Sequence, residues 1–337
     1  MGTENLNSEP VMVTIRCFTF NQSCYIRDCL DGFVMQKTNF RFEAIVHDDA
    51  STDGNAEIIK EYGEKYPNII KPILEKENQW SKHDGSLGRI MNENTRGKYL
   101  AWCEGDDYWI DPLKLQKQVD FLEAHPDYSM CWSDAYIETN GHKAPYKRYS
   151  GNCQSPISDI IEKGGAFIPT CSIVARREVV EKMPSTFKGF FVGDYPLQIW
   201  CGAMGKCFYF KDQTCVYRYM AQGSWTQKNN GIRSLDAFWR CYNGEKDIIE
   251  RCNKALGYKY NKSFEIHAAK HMYKLCMLYK QYHLAKPYML LREKYHFHVG
   301  KAEKAYILGH HVLGSILSFA ISFKNKVLFK VKDINEG

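Results

Sequence analysis

The chain has 337 residues, 44% hydrophobic and 25% charged, with a net charge of +6; this is long enough for a full buried core and excludes a disordered or fibrous chain. From residue 251 onward 16 Lys or Arg stand against 5 Asp or Glu, which leaves −5 on the first 250 residues and excludes a general nucleic-acid binder with a basic binding face. Thirteen cysteines, odd in number and nowhere spaced C-x-x-C, exclude a disulfide framework and a zinc ribbon, and point to reduced thiols in a cytoplasmic protein.

In chain order, residues 1 to 10 are polar and carry no apolar leader segment. Val11–Cys17 is predicted as a buried strand, and Tyr25–Gln36 as a helix with Ile26, Leu30, Phe33 and Val34 on one face. A strand over Phe42–His47, a helix over Ala56–Tyr66 ended by Pro67, and a strand over Ile69–Leu74 follow. A helix is expected over Leu87–Thr95 and a fourth strand over Tyr99–Cys103. Asp111-Pro112 signals a helix start, with Asp as N-cap, running to about His125. Tyr128–Trp132 is a fifth strand. Beyond residue 135 short strands are expected near Phe167–Ala175 and Thr214–Tyr219, a helix from Tyr195 to about Ala203, and helices alone from Leu235. Strands alternating with helices imply an α/β fold whose mostly parallel sheet is covered by helices on both faces.

Ligands of such sheets bind at the carboxyl ends of the strands. The first strand runs into Thr19-Phe20-Asn21, the second into Asp48-Asp49 and Ser51-Thr52-Asp53-Gly54, the fourth into Glu104-Gly105-Asp106-Asp107. An isolated Asp-Asp after a strand serves capping and loop solvation, the role expected of Asp53. Two acidic clusters on neighbouring strand ends repel each other unless a cation sits between them, and a hard divalent ion with oxygen ligands suits that place.

The runs VTIRCFTFNQSCYIRDCLDGFVMQ, EAIVHDDASTDG and GKYLAWCEGDDYWIDPLKLQKQVDFLE resemble the amino-terminal half of family 2 glycosyltransferases. The resemblance implies a GT-A fold: a nucleotide-sugar-binding half over 11–135, an acceptor-binding half over 136–235, and beyond them a helical, basic extension over 236–337. It implies that Thr19 and Phe20 lie at the nucleotide, Phe20 packing on the base where the family often has Tyr. Asp49 then accepts a hydrogen bond from the base, which favours uridine. Asp106 and Asp107 match the D-x-D element, with Asp106 near the ribose or metal and Asp107 as principal ligand of a divalent metal, Mn²⁺ or Mg²⁺. Glu104 holds the motif's first acid. Arg89 corresponds to a basic residue facing the donor, although the family's Ala-Arg-Asn run is absent there.

Downstream, Gly193-Asp194-Tyr195-Pro196 opens a helix. By resemblance Asp194 is the catalytic base that deprotonates the acceptor; on its own it reads as a helix cap. Arg218 either counters the diphosphate charge or is a surface arginine. Thr170-Cys171-Ser172 either lines the acceptor side or belongs to a buried strand. His267, His271, His310 and His311 lack the carboxylate or cysteine company of a metal site. The apolar stretch Ala305–Phe323, followed by Lys324, Lys326, Lys330 and Lys332, fits an in-plane membrane helix or a docked terminal helix.

The expected activity is therefore a metal-dependent inverting transfer from a UDP-sugar to the hydroxyl of a saccharide or lipid-linked saccharide acceptor. The setting expected is bacterial surface polysaccharide or glycoconjugate synthesis. No nucleic-acid partner is expected, and the location is cytoplasmic, with contact to the anionic inner face of the cell membrane through the tail. Two rivals stand beside it. A nucleotidyltransferase would carry a Gly-rich, basic loop after the first strand, which Phe18–Ile26 lacks. A non-catalytic protein of the same fold would bind glycan or lipid and transfer nothing.

Overall fold

The computed structural model of the chain describes residues 9–230 and 234–309. One ten-stranded sheet organises it. In chain order the strands are β1 (Val13–Thr19), β2 (Phe42–Asp48), β3 (Ile70–Leu74), β4 (Tyr99–Trp102), β5 (Tyr108–Trp109), β6 (Tyr128–Thr139), β7 (His142–Pro145), β8 (Cys153–Ser155), β9 (Val174–Arg176) and β10 (Lys206–Arg218). Their spatial order is β3-β2-β1-β4-β9-β6-β10-β5, with β7 on β6 and β8 on β10. The first four are mutually parallel, as the strand–helix alternation predicts. β9 then enters antiparallel to both β4 and β6, whereas β6 and β10 run parallel. Pro72 is tolerated in β3 because that strand is at the edge of the sheet.

The helices are α1 (Ile26–Val34), α2 (Asn55–Lys65), α3 (Ser86–Asn94), α4 (Lys114–Ala124), α5 (Ile157–Lys163), α6 (Arg177–Glu181), α7 (Asp194–Met204), α8 (Trp225–Asn230), α9 (Leu235–Ala255), α10 (Asn261–His267), α11 (Tyr273–Leu278) and α12 (Tyr282–Lys294). Two cores form on the two faces of the sheet. Val13, Ile15 and Cys17 of β1 meet Leu30 and Phe33 of α1, Ile59 of α2 and Leu115 of α4. On the opposite face Leu100, Met130 and Trp132 meet Ile160 of α5 and Ile199 of α7, and Ile248, Cys252 and Phe264 of α9 and α10 join them. The carboxyl-terminal helices are thereby docked on the sheet, and a third cluster around Phe238, Cys276 and Met289 binds them to each other.

Several elements depart from the sequence reading. α4 starts at Lys114 rather than at Pro112, because Asp111 caps the turn ahead of it by accepting the Leu113 N–H at 2.9 Å. β6 continues seven residues past Trp132. The Thr170–Ser172 segment is a short 3₁₀ turn and not a strand. The lysine-rich end of the expected membrane segment, with His310 and His311, lies outside the described residues. No helix among the described residues is long and apolar enough to cross a membrane.

Candidate active site

Parallel pairing in register puts Thr19 of β1 beside Asp48 of β2, and Arg16 beside Trp102 of β4, so three loops leave the sheet at one edge. The first two loops are cross-tied. Asn21, in the left-handed region at φ 53°, donates its N–H to Ser51 Oγ and accepts the Thr52 N–H, each at 2.8 Å. Asp53 accepts the Ser23 and Asn55 N–H groups, the turn role expected of it. Thr19 is buried and its hydroxyl accepts from Asn55 Nδ2 at 3.1 Å, while Phe20 is 38% exposed and presents an open ring. Asp49 is 5% exposed; Oδ1 accepts the Gln79 N–H at 2.6 Å and Oδ2 the Trp80 N–H at 3.0 Å. Each oxygen keeps one lone pair for a further donor.

The loop after β4 carries the acids. Gly105 donates its N–H to the Phe18 carbonyl at 3.0 Å, and a Cβ there would lie 2.6 Å from both Thr19 Oγ1 and Gln22 Oε1. Only glycine lets the acidic loop close on the end of β1. Glu104 is open to solvent although walled in by protein. That enclosure, followed by repulsion from Asp106 and Asp194, pushes its carboxyl up to about 8. Asp106, 6% exposed, is raised by burial against the opposing pull of Arg218 and Gln22. Asp107, 1% exposed, is raised well above the carboxylate range by burial and then by Asp106.

Arg218 ties this loop down. Its backbone N–H donates to Asp107 Oδ1 and its Nη1 to the Asp106 carbonyl, each at 2.9 Å. Nη2 pairs with Asp28 of α1, Nε lies 3.6 Å from Glu138, and the guanidinium stacks 4.3 Å from the Tyr108 ring centroid. Of the two alternatives for Arg218, the surface arginine is excluded: the side chain is 11% exposed. The inner oxygen of Asp107 is committed to this tie, so Glu104 is the most accessible acid of the loop, with Asp106 beside it.

Asp194 is the first residue of α7, and the N-cap position is Gly193. Its Oδ1 accepts the Tyr195 N–H at 2.8 Å and its Oδ2 the Thr170 hydroxyl at 3.2 Å. Burial raises its carboxyl; those two hydrogen bonds oppose the shift and Glu245 adds to it. The field of Asp194 reaches Glu104. The structure thus brings Thr19, Phe20, Asp49, Asp106, Asp107 and Arg218 to one edge, with Asp194 in electrostatic contact through Glu104. Arg89 stands apart: it turns back on Asp84, donating to its carbonyl at 2.7 Å, and its side chain is 59% exposed. His267 does have a carboxylate, correcting the sequence reading: Nε2 lies 3.2 Å from Glu245 Oε2, and the ring stacks on His271 at 4.4 Å. Gln22, Asp28 and Glu138 escaped sequence reasoning, because nothing in their local spacing marks them, whereas Thr170, a candidate for the acceptor side, is found on Asp194.

Among the described residues no three His, Cys, Asp or Glu side chains converge as a finished metal site. Carboxylates that burial and mutual repulsion hold above their ordinary range nevertheless suit a cation. Divalent ions at nucleotide sites use one or two carboxylates and take their remaining ligands from phosphate and water, and Glu104 and Asp106 fit that pattern.

Comparison with known proteins bears on family and fold. Residues 17–183 match the profile described as Glycosyl transferase family 2. An uncharacterized Mycobacterium tuberculosis protein is 34% identical over 221 residues, 63% of this chain and 60% of the relative. The chain thus spans somewhat under two thirds of the mycobacterial relatives it matches. A Bacillus subtilis protein named as a glycosyltransferase, EpsE, is 34% identical over 125 residues, 37% of this chain and 43% of its own. Among solved structures, Staphylococcus aureus TarS 1-349 in complex with UDP-GlcNAc superposes with a TM-score of 0.54 at 15% identity, covering 84% of this chain and 88% of that one. The match places residues 17–183, about half of the chain, in glycosyltransferase family 2, and the superposition, which extends over most of the chain, shows a GT-A fold.

Proposed function

We propose that the chain transfers a sugar from a UDP-sugar to an acceptor hydroxyl, with inversion, in the synthesis of a surface polysaccharide or glycoconjugate. One observation carries the reading: Asp49, Asp106 and Asp107 are buried at the carboxyl edge of the sheet beside the exposed Phe20 ring, with Arg218 holding the loop of Asp106 and Asp107 in place. Asp49 and Phe20 support uridine, with a carboxylate lone pair for the base N–H and an exposed ring for its face. The family match and the EpsE name support transfer. The TarS complex supports the donor class, since that protein holds UDP-GlcNAc in the same fold.

In the proposed step Asp194 takes the proton of the acceptor hydroxyl. The acceptor oxygen bonds to the anomeric carbon as the bond from that carbon to the diphosphate oxygen breaks on the opposite face. A carboxylate raised above its ordinary range is a stronger base than a free one. The Thr170 hydroxyl positions it. Asp106 and Glu104 are assigned as the residues that hold a divalent ion, with Asp107 inside them. Such an ion, when bound, supplies positive charge to the departing diphosphate. Arg218 acts on the same region as a positioning residue, through the Asp106–Asp107 loop.

The test is a panel of nucleotide-sugars incubated with Mn²⁺ or Mg²⁺, read as released nucleotide. UDP release that requires the cation and exceeds GDP release from the matching sugar is expected. Preferential GDP release would remove the reading of Asp49, and no release from any donor would remove the transferase.

A further inference from the structure

Beneath the donor edge the sheet holds a cation without a counter-charge. Along β1 the side chains alternate: Val13, Ile15 and Cys17 enter the core of α1, so Thr14, Arg16 and Phe18 point to the opposite face. Arg16 is 8% exposed, and its Nε is buried with no hydrogen-bond partner. Among the described residues no carboxylate pairs with its guanidinium and no hydrogen bond reaches it. Its Cζ lies 5.9 Å from the Phe18 ring centroid. Burial alone pulls the group down to about 10. The acid that β2 presents on this face, Glu43, is already held by Thr14 and Arg96. A buried charge left uncompensated is costly, and nothing in the fold of β1 calls for one.

Strand pairing puts this cation below the acids of the site. Arg16 is beside Trp102 of β4, and the ladder continues past the end of that strand: Cys103 donates to the Arg16 carbonyl at 3.3 Å and Gly105 to the Phe18 carbonyl at 3.0 Å. Phe18 therefore comes opposite Glu104. Exposure falls along this line, with Glu104 open, Phe18 half-buried and Arg16 nearly closed off. At about 3.3 Å per residue, Arg16 leaves the backbone roughly 7 Å below the level of Phe18 and Glu104. The two charges do not neutralise each other, since those that act on Glu104 are Asp106 and Asp194. β9 runs antiparallel with Val174 beside Ala101, so the turn before it brings Thr170, which holds Asp194, to the same edge. A diphosphate bound among the edge acids leaves the sugar as the part of the donor that can reach below them. Guanidinium grips carboxylate through two parallel N–H bonds, a fork that a buried arginine offers ready-made.

We propose that Arg16 is a specificity-determining residue that takes the carboxylate of a hexuronic acid, so that the donor is a UDP-uronate. The inference deepens the transferase reading and rests on it. Its test is calorimetric titration of the full chain with UDP, UDP-glucose and UDP-glucuronate in Mn²⁺, and with free glucuronate in saturating UDP. UDP-glucuronate should bind about tenfold more tightly than UDP-glucose, the worth of a charge-assisted hydrogen-bonded pair. Arg16→Met, similar in length and uncharged, should erase that preference and keep UDP affinity close to wild type. Having no uncompensated charge to bury, it should also melt no lower than wild type in the absence of ligand. Arg16→Lys keeps the charge without the fork and should retain only part of the preference. Equal affinity of wild type for the two sugars, or a preference that survives in Arg16→Met, would overturn the assignment. A marked fall in the Tm of Arg16→Met would overturn it too, because the cation would then be serving the fold. Free glucuronate that binds beside UDP as tightly as UDP-glucuronate binds would give the anion to the acceptor and remove it from the donor. UDP affinity, read in the same preparations, separates the two levels. A chain that fails to bind UDP loses the transferase reading and this inference with it, whereas UDP binding without a uronate preference removes the role of Arg16 alone.

Discussion

Glu104 shows how a single side chain can carry both a stability signal and a site. Its carboxyl rises from 4.5 to about 8 through enclosure and the charges of Asp106 and Asp194. Between those values the folded chain holds a proton that the unfolded chain releases. Stability is therefore greatest below about pH 4.5 on this account and falls as pH rises toward 8. Asp106 and Asp107 shift in the same direction and add to the slope. Glu104→Gln has nothing to titrate, so its Tm should pull ahead of wild type across that interval. Water reaching Glu104 damps the repulsion, so the gap at pH 8 should be on the order of 2 °C, equivalent to roughly 0.5–1 kcal/mol. Thermal melts of both proteins from pH 5 to pH 8 measure it, and a gap that does not change with pH would show that Glu104 is not under this repulsion.

At the scale of elements, the acidic loop is positioned by β10 and α1 rather than by its own sequence. Arg218 closes β10 on the loop after β4 and also reaches Asp28 of α1, 190 residues away in the chain. Arg218→Ala keeps the backbone tie to Asp107 but leaves the partly buried Glu138 and the Asp106 carbonyl without the guanidinium, so a loss of about 3 kcal/mol is expected. Arg218→Lys keeps the charge but not the planar fork, and should recover only part of that loss. Chemical denaturation of the two variants decides: equal stability of Arg218→Ala and wild type would reduce the tie to a surface contact. This long-range tie also marks where the sequence stopped being informative. The strand-end acids were legible because strand, acid pair and glycine are contiguous in the chain. β5, at two residues, is too short for any periodicity. β6 was read short because Ser133 and Asp134 look like a loop; inside the sheet the Ser133 hydroxyl is satisfied by Thr214 of β10 at 2.6 Å, a contact 81 residues away. β10 was likewise read from Thr214 only, since the register irregularity between Phe210 and Gln213 interrupts its pattern.

On the scale of the whole molecule, the two cores assign the two halves of the proposed reaction. The core of α1, α2 and α4 holds up the donor edge, and the core of α5, α7, α9 and α10 sets the start of α7. Family and fold were legible from the amino-terminal half, where the parallel strands lie. The docking of α9 and α10 was not, because Ile248, Cys252 and Phe264 look like ordinary apolar helix positions until the sheet face they cover is known. The proposed proton transfer depends on Asp194, so the sharpest measurement is made there. The rate of UDP release from the best donor of the panel, with UDP affinity determined in parallel, is compared between wild type and Asp194→Asn. Asn preserves the shape: its Oδ1 can keep the Tyr195 N–H while its Nδ2 donates to the Thr170 hydroxyl, which turns to accept. A general base that has been removed should lower the rate by about 10²–10⁴-fold while UDP affinity and Tm stay close to wild type. Near-wild-type turnover in Asp194→Asn would contradict the assignment of proton transfer to this residue.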